Sequence, residues 1–396
     1  MSMDNKLSKM KKGTDGIDHT LVQLIAAAGA PVSRTDLAAM TGLSKMTISK
    51  HVAGLIQNGI LAEQSSQAAD SKLGRHPVPL VLSGQAPCIF GLLIKRGYLQ
   101  AILADMSCNI INTHKYYFQN GLTKEKLISM ILEQYDALAQ NTDRRILGCG
   151  IASLGPVDVS SGCILNPADF YGITDVPVVE LLQSHSGLPT CLIHDANAGA
   201  LVESLYGNGK KRKNFVYLHI EEGIGLGFVI NGQLIHTLSG RSGNIGHVSV
   251  NINGPKCSCG NVGCLELYAS LGQMQKKIAQ LLPVFPKSRF AKVKEFTWNN
   301  IMDLAAKEDS IAVAALDEFC TYLAHALYSV LNLLDFSTVI IGYDSQTGSD
   351  IIERMLKAKF RNFCRSQNPA IEILHSHFNG TAPLLGTAAV IVKEWM

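Results

Sequence analysis

Four side chains of the types that bind zinc lie within eighteen residues of one another in this chain: His247, Cys257, Cys259 and Cys264. Thiolates and neutral imidazoles are the ligands that tetrahedral Zn²⁺ prefers, and the glycines among them let a short loop bring four donors to one point. A catalytic zinc keeps one position open for water, whereas four protein donors fill the tetrahedron. Unrelated cysteines are the alternative, but such close spacing rarely arises from composition. The sequence therefore predicts a structural zinc site.

The segment that carries these residues resembles the signature of a protein family. Its pattern, Gly-His247 followed by Cys257-x-Cys259-Gly-x-x-Gly-Cys264-Leu-Glu266, is similar to that of the ROK family, which comprises sugar-responsive repressors and sugar kinases. The resemblance implies that His247 and the three cysteines bind zinc and that His247 and Glu266 also reach a bound sugar. It further implies a two-lobed α/β body with an actin-like, ribonuclease H-like fold.

The same resemblance assigns three further positions to sugar binding. Asp195 matches the aspartate of the family's Asn-Asp-Ala-Asn run, and Asn166 resembles the asparagine of its Asn-x-Pro stretch, although an Asx turn before the proline is an alternative. Asn244 stands where the family commonly has a glutamate that binds sugar hydroxyls. Because an amide both donates and accepts whereas a carboxylate only accepts, either the effector differs from the hexoses of the glucose-type members or the pocket has lost affinity.

The nucleotide side of the ROK kinases is poorly matched, so no catalytic residue is expected. The family's Asp-x-Gly-Gly-Thr turn is replaced around Lys95, which removes the aspartate that holds a magnesium-bound water and the paired glycines that approach a phosphate. Glu222 places a carboxylate where the kinases of the family have a threonine that meets a phosphate group. Tyr343 stands where those kinases have the second of two glycines near the adenine. The alternative is an ATP-dependent sugar kinase of the ROK type, in which Asp195 would be the general base.

The N-terminal region, residues 1–85, is predicted to be a winged helix-turn-helix DNA-binding domain. Apolar residues recur at helical spacing over residues 17–28, a second helix covers residues 34–40, and a third runs from about residue 44 to residue 58 after a glycine-containing turn. Two short strands around a polar tip follow as a wing. The side chains expected to contact DNA are Ser44, Lys45, Thr47, Lys50 and His51 on the third helix and Arg75 in the wing. A three-helix protein-interaction domain is the alternative.

The remaining chain alternates strands and helices, which is typical of an α/β body. We predict a first lobe over residues 86–200 and a second lobe, with the zinc loop, over residues 201–396. The C-terminal helix, residues 383–396, is expected to pack back on the first lobe. A basic run at residues 210–213 is interpreted as a solvated loop.

Charge and cysteine usage narrow the class of protein. Residues 1–76 hold nine Lys and Arg against six Asp and Glu, which accounts for the whole net charge of +3. The other cysteines are scattered singly, as buried thiols in a reducing compartment would be. Since the N-terminus carries no signal or membrane helix, we expect a cytoplasmic protein.

The expected partners are a double-stranded DNA operator, a sugar effector and a second copy in a homodimer or larger homo-oligomer, and control by a regulatory protein stays open.

Overall fold

The computed structural model describes residues 16–64, 78–118, 121–221, 223–235, 243–344, 350–363 and 371–395. The N-terminal part is a small unit of three helices and three short strands. Its elements, in chain order, are α1 (Gly16–Ala28), β1 (Val32–Ser33), α2 (Arg34–Thr41), α3 (Lys45–Gln57), β2 (Leu61–Glu63) and β3 (Pro79–Leu82). The three strands form one antiparallel sheet in the order β1-β3-β2.

Local sequence determines where these helices begin and end. Ser33 Oγ accepts a hydrogen bond from the backbone N–H of Asp36, and the Asp36 carboxylate accepts one from the backbone N–H of Ser33, so a capping box starts α2. The helix is terminated by Gly42, whose φ of 72° is left-handed. Ser44 accepts a hydrogen bond from the backbone N–H of Thr47 and so caps α3. The predicted bounds of all three helices agree with these ends to within one residue.

A mixed five-stranded sheet forms the first half of the body, in the order β10-β7-β4-β5-β6. Strands β4, β5 and β6 are antiparallel neighbours, whereas β7 and β10 run parallel to β4. The elements of this half are β4 (Cys88–Ile94), β5 (Tyr98–Ala104), β6 (Ile110–Tyr117), α4 (Lys124–Ala139), β7 (Ile146–Ser153), β8 (Val157–Asp158), β9 (Cys163–Ile164), α5 (Val178–Ser186), β10 (Thr190–His194) and α6 (Asp195–Tyr206). Strands β8 and β9 pair with each other in a separate antiparallel sheet.

A second five-stranded sheet, in the order β13-β12-β11-β14-β15, forms the other half. Its elements are β11 (Phe215–Ile220), β12 (Ile224–Ile230), β13 (Gln233–Leu234), α7 (Leu271–Leu281), α8 (Trp298–Ala306), α9 (Ser310–Leu334), β14 (Thr338–Gly342), α10 (Ile351–Phe363), β15 (Glu372–His375) and α11 (Ala382–Trp395). Apolar spacing predicts a helix from Met274, but α7 begins three residues earlier, because Ser270 supplies an N-terminal cap. None of the described helices is long and apolar enough to cross a membrane.

Helix α11 contacts β4 and β7 of the first sheet and lies against α6. A side chain at Gly386 would meet the carbonyl oxygen of Ala198 at 2.1 Å, so this glycine allows α6 and α11 to pack closely. On its other side, α6 contacts β11 and β12 of the second sheet. Helix α6 is therefore shared by both halves of the body, and its first residue is Asp195.

The N-terminal unit packs on the body at the end of α1. Ser107 Oγ donates to the carbonyl oxygen of Ala26 at 3.1 Å, and Lys210 Nζ donates to that of Ala27. Apolar residues of the unit and of the body belong to one continuous buried cluster. The 210–213 run is exposed at Lys210, Lys211 and Lys213, as the solvated-loop interpretation expects. Lys210 and Arg212 nevertheless make specific contacts, since Arg212 pairs with Glu372 at 2.7 Å.

Candidate functional site

The four predicted zinc ligands converge in one loop. Two 3-10 helices, Ile245–His247 and Leu265–Leu267, flank it, and backbone bridges join Ser249 to Cys264 and Lys256 to Val262. Gly263 has φ 64°, and a side chain there would meet the carbonyl oxygen of Asn251 at 1.8 Å. A residue without Cβ is required at this turn.

The donor atoms lie close together, and two of their separations match those of a tetrahedral zinc site. The nitrogen and sulfur donors of His247, Cys257, Cys259 and Cys264 all lie within 4.8 Å of one another. Cys259 Sγ is 3.6 Å from Cys264 Sγ, and Cys257 Sγ is 3.7 Å from His247 Nδ1. Zinc–ligand bonds of about 2.0 to 2.3 Å at tetrahedral angles place two donors roughly 3.6 to 3.8 Å apart. The four side chains therefore form a cluster that could hold a metal ion.

A cavity of about 90 Å³ opens beside this loop, between the two sheets. Pockets for drug-sized ligands are typically about 300 to 1,000 Å³, so this one suits a much smaller molecule. Four of the five predicted sugar contacts line it: Asp195, Asn244, His247 and Glu266. Glu266 also lies 3.3 Å from His247 Nδ1 and 3.7 Å from Cys257 Sγ. The loop over residues 245–267, which carries the four possible metal ligands and is called the metal loop below, is therefore one wall of the cavity.

Asn166 lies elsewhere. It is exposed, and it is absent from the described residues that line the cavity. Its loop approaches the cleft through two neighbours: Arg96 Nε donates to the carbonyl oxygen of Ala168 at 3.3 Å, and Ser258 Oγ donates to Asp169 at 3.1 Å. In this structure the loop, rather than the side chain of Asn166, is near the cavity.

A buried lysine contacts the predicted sugar-binding aspartate. Lys95 Nζ donates to Asp195 Oδ2 at 2.8 Å and pairs with Glu221 Oε2 at 2.7 Å, and it lies 3.0 Å from His219 Nε2. Tyr98 donates to the other oxygen of Glu221 at 2.8 Å. The lysine side chain is only 9% exposed. The cavity thus contains an ion cluster that joins the first sheet to the second.

The charges in this cluster control each other's protonation. Burial alone would raise the pKa of Asp195 and of Glu221, but the nearby Lys95 ammonium outweighs burial and holds both pKa values well below their usual range. Burial would likewise lower the pKa of Lys95, and the two carboxylates raise it instead. Asp195 is therefore a weak base, with its Oδ1 also accepting from the backbone N–H of Ala196 at 2.6 Å.

His194, the residue before Asp195, is a second cavity side chain that sequence patterns did not assign. It is 6% exposed, and its buried Nδ1 lies 3.4 Å from Asp195 Oδ1 but makes no hydrogen bond among the described residues. Burial lowers the pKa of His194, so the ring is neutral at pH 7. A buried polar atom at the cavity wall without a partner is a group that a ligand could satisfy.

The predicted DNA-contacting residues fall into three groups in the N-terminal unit. Lys45 and Lys50 are exposed on α3, and Ser44 and Thr47 form the capping turn at its start, with their hydroxyls 2.8 Å apart. The assignment of His51 to the DNA surface stays a prediction, but its side chain also makes a contact within the unit. Its Nδ1 contacts Asp18 Oδ1 of α1 at 2.7 Å and its side chain is 12% exposed, so it holds α3 against α1. Arg75, the predicted contact in the wing, lies outside the described residues. The same holds for Glu222, the carboxylate predicted to disfavour a nucleotide.

Sequence reasoning did not foresee the role of Lys95, Tyr98, His219, Glu221 or Lys210. Lys95 and Tyr98 flank a turn, and His219 and Glu221 end β11, so each looks ordinary in its own segment. The one sequence signal for a special role of Lys95 was that it stands in the turn that replaces the family's phosphate-binding turn. That replacement argues against nucleotide binding but does not predict the ion cluster.

Comparisons with known proteins cover nearly the whole chain. A profile described as the ROK family matches residues 90–394. A xylose repressor from Bacillus spizizenii is 30% identical, over 93% of this chain and 92% of its own length. A solved ROK family transcriptional regulator, described as a homologue of the Escherichia coli Mlc protein, superposes with a TM-score of 0.74 at 25% identity, covering 96% and 97% of the two chains. A Streptomyces griseus ROK glucokinase, solved with glucose and AMPPNP, has the same fold over 76% of this chain and 98% of its own, with a TM-score of 0.68 and 23% identity.

Proposed function

The chain belongs to the ROK family, and from this premise we propose that it is a DNA-binding transcriptional repressor of carbohydrate uptake or catabolism genes, controlled by a sugar. One observation carries the proposal: the likeness to a xylose repressor extends over both the N-terminal unit and the body. A dedicated sugar kinase has no use for the N-terminal unit. In agreement with this, the likeness to the glucokinase covers only 76% of the chain.

The N-terminal unit acts as a winged helix-turn-helix in this proposal. Helix α3 enters the major groove with Lys45 and Lys50 toward the DNA, and Ser44 and Thr47 lie at the end of the helix that meets the bases. The β2–β3 hairpin is the wing, and Arg75 contacts phosphate or the minor groove. Two copies in a homodimer read two half-sites of an operator.

The cavity beside the metal loop is the effector site, because the polar side chains that line it can bind the hydroxyl groups of a small sugar. D-xylose is the first candidate because of the name of the relative from Bacillus spizizenii. Asp195, Asn244, His247 and Glu266 bind its hydroxyls, and His194 Nδ1 provides a further polar contact. Asn166 joins them only if its loop moves, since its side chain is exposed.

His247, Cys257, Cys259 and Cys264 hold a structural zinc ion in this proposal. The ion fixes the loop that carries Asn244, His247 and Glu266, so it shapes the effector site without taking part in chemistry. The convergence of the four donors, all within 4.8 Å of one another, supports this assignment.

Catalysis is not part of the proposal. A general base works best with a pKa near the working pH, whereas Lys95 holds the pKa of Asp195 far below its usual value. An Asp195 carboxylate paired with an ammonium is suited to binding hydroxyl groups. The kinase alternative predicts release of ADP from magnesium ATP in the presence of a sugar, and we expect no release above background.

Ligand control requires a connection between the cavity and the DNA-binding unit. Helix α6 begins at Asp195 in the cavity and ends at Tyr206, near Lys210, which bonds to the end of α1. A sugar that binds better to one arrangement of the two halves of the body shifts the protein toward that arrangement. We propose that this arrangement holds the two α3 helices at a spacing that does not match the operator.

The experiment that tests the function selects genomic DNA fragments with the purified protein at one fixed salt concentration, because affinity for DNA depends steeply on salt. We expect a palindromic site beside carbohydrate genes, released by D-xylose but not by L-xylose as a matched control. Recovery of salt-sensitive bulk binding alone would contradict the repressor proposal. Release by neither sugar, with a specific site recovered, would reject D-xylose as effector and leave control by another sugar or by a partner protein.

A further inference from the structure

Lys95 connects the two halves of the body at the floor of the effector cavity. We propose that Lys95 is a positioning residue of this site: it holds the carboxylates of Asp195 and Glu221 in place across the cleft and does not itself contact the sugar. The inference rests on the proposed function in one respect, namely that the cavity binds a sugar through Asp195.

The ammonium group of Lys95 is held by protein groups. A lysine ammonium has three donors and no acceptor. Asp195 Oδ2 lies 2.8 Å and Glu221 Oε2 2.7 Å from it. His219 Nε2 lies 3.0 Å away and accepts the third hydrogen when the imidazole carries its proton on Nδ1. Lys95 lines the cavity, but its side chain is only 9% exposed. We therefore expect it to act on a ligand through the groups that it holds.

These groups come from both sides of the cleft. Lys95 directly follows β4, and Asp195 begins α6 after β10, so both belong to the first sheet's side. Glu221 and His219 lie at the end of β11 in the second sheet. Tyr98 of β5 binds the second oxygen of Glu221 at 2.8 Å, so both oxygens of this carboxylate are fixed from the opposite half. Lys95 thus sets the distance between the two halves at the cavity floor.

Removing Lys95 would leave two partly desolvated carboxylates beside each other without a counterion. Like charges at such short range repel strongly in a cavity of low dielectric. Asp195 would then rotate away, gain a proton or push β11 outward, and in each case it would no longer present the same oxygens to a sugar hydroxyl. Removing the charge of Glu221 as well would relieve this repulsion.

A double-mutant cycle tests the proposal, with D-xylose as the probe and calorimetry as the measurement. We expect Lys95→Met to weaken binding at least about tenfold, and the Lys95→Met, Glu221→Gln double variant to recover at least about threefold of that loss, because groups that share one ion cluster are not additive. Lys211→Met, which changes an exposed lysine, should bind like the parent protein. Binding by Lys95→Met within twofold of the parent, or single effects that multiply independently in the double variant, would overturn the positioning role.

A second measurement separates this inference from the choice of effector. Amide hydrogen exchange of the unliganded protein should be faster in Lys95→Met than in Lys211→Met at the start of α6 and at the end of β11, by about tenfold or more. If the parent protein binds no D-xylose, the effector assignment fails while this comparison still decides the role of Lys95. Unchanged exchange at both segments overturns the inference whatever the sugar. Glu221→Gln, which preserves shape, gives the same comparison if Lys95→Met does not fold, with faster exchange expected at the same two segments.

Discussion

The metal loop and the Lys95 cluster form adjoining walls of one cavity, yet they are encoded in the sequence in different ways. The four possible metal ligands lie within one short loop, and their spacing alone predicted the convergence that the structure has. The Lys95 cluster joins residues 100 and 124 positions apart, each in an ordinary segment. The first site is a property of a loop, and the second is a property of the topology that brings β4, β10 and β11 together.

This difference has an energetic consequence. A local site folds around its metal, because the binding free energy of the ion becomes folding free energy of the loop. A non-local ion cluster gains little net free energy, since desolvation offsets the attraction of its charges. Removing one charge is nevertheless costly, because the partners remain buried and unpaired. The two walls of the cavity should therefore respond differently to substitution.

The largest effect is expected for Cys264→Ser, which removes one of four donors from the loop. Structural zinc contributes about 10 to 16 kcal/mol in small zinc-binding peptides, so losing about a quarter of that weakens metal binding roughly 60- to 700-fold. Elemental analysis after dialysis against a chelator should find zinc in the parent and little in the variant. Cys163→Ser, a half-buried cysteine away from the loop, is the matched control and should retain the metal. A parent protein that purifies without any metal would remove the basis of the comparison.

Asp195→Asn should produce the next largest effect, on effector affinity. Hydrogen bonds to a charged group contribute about 1.5 to 3 kcal/mol, which corresponds to roughly 10- to 150-fold weaker binding of D-xylose by calorimetry. The metal content should not change, because Asp195 belongs to the other wall. Asp303→Asn, which alters a half-exposed ion pair on α8, is the control. If Asp195→Asn releases DNA at the same sugar concentration as the parent protein, the effector does not bind at this carboxylate.

Sequence reasoning succeeded where the chemistry is local. It located α3 and the loop with the four possible metal ligands, because apolar periodicity and ligand spacing are encoded within short stretches of chain. It placed four of five expected sugar contacts at the cavity through the family resemblance.

It did not locate groups that meet only after the sheets have assembled. The neighbours of Asp195 come from β4 and β11, and Asn166 is carried away from the cavity by a loop whose path the sequence pattern does not determine. His51 was placed on the outer face of α3 because helical periodicity reveals the apolar stripe of a helix but not which polar side chain meets a neighbouring helix. Such contacts depend on packing angles, which a single sequence does not provide.

Helix α3 carries both kinds of residue, one predicted from local sequence and one whose contact depends on packing. Lys50 is of the first kind: it was predicted to contact DNA from its position on the helix, and it is exposed. Lys50→Ala should weaken operator binding by about eightfold at 0.1 M salt and should reduce the salt-dependence slope by about one, as expected for the loss of one phosphate contact. Fluorescence anisotropy over a salt series measures both quantities. Lys307→Ala on the body is the control. A weaker affinity with an unchanged slope would indicate that Lys50 supports the fold of α3 or reads a base instead of a phosphate.

The smallest effect is expected for His51→Ala, which separates a packing role from a DNA-contacting role. His51 contacts Asp18 across two helices, and a hydrogen bond of this kind contributes about 0.5 to 1.5 kcal/mol. Amide exchange in α1 should therefore accelerate by about 2- to 12-fold, while the salt slope of operator binding stays that of the parent protein. Asp18→Ala should have the same effect, and the double variant should be no worse than either single one, because both substitutions remove one interaction. A reduced salt slope in His51→Ala alone would instead support the assignment of this residue to the DNA surface.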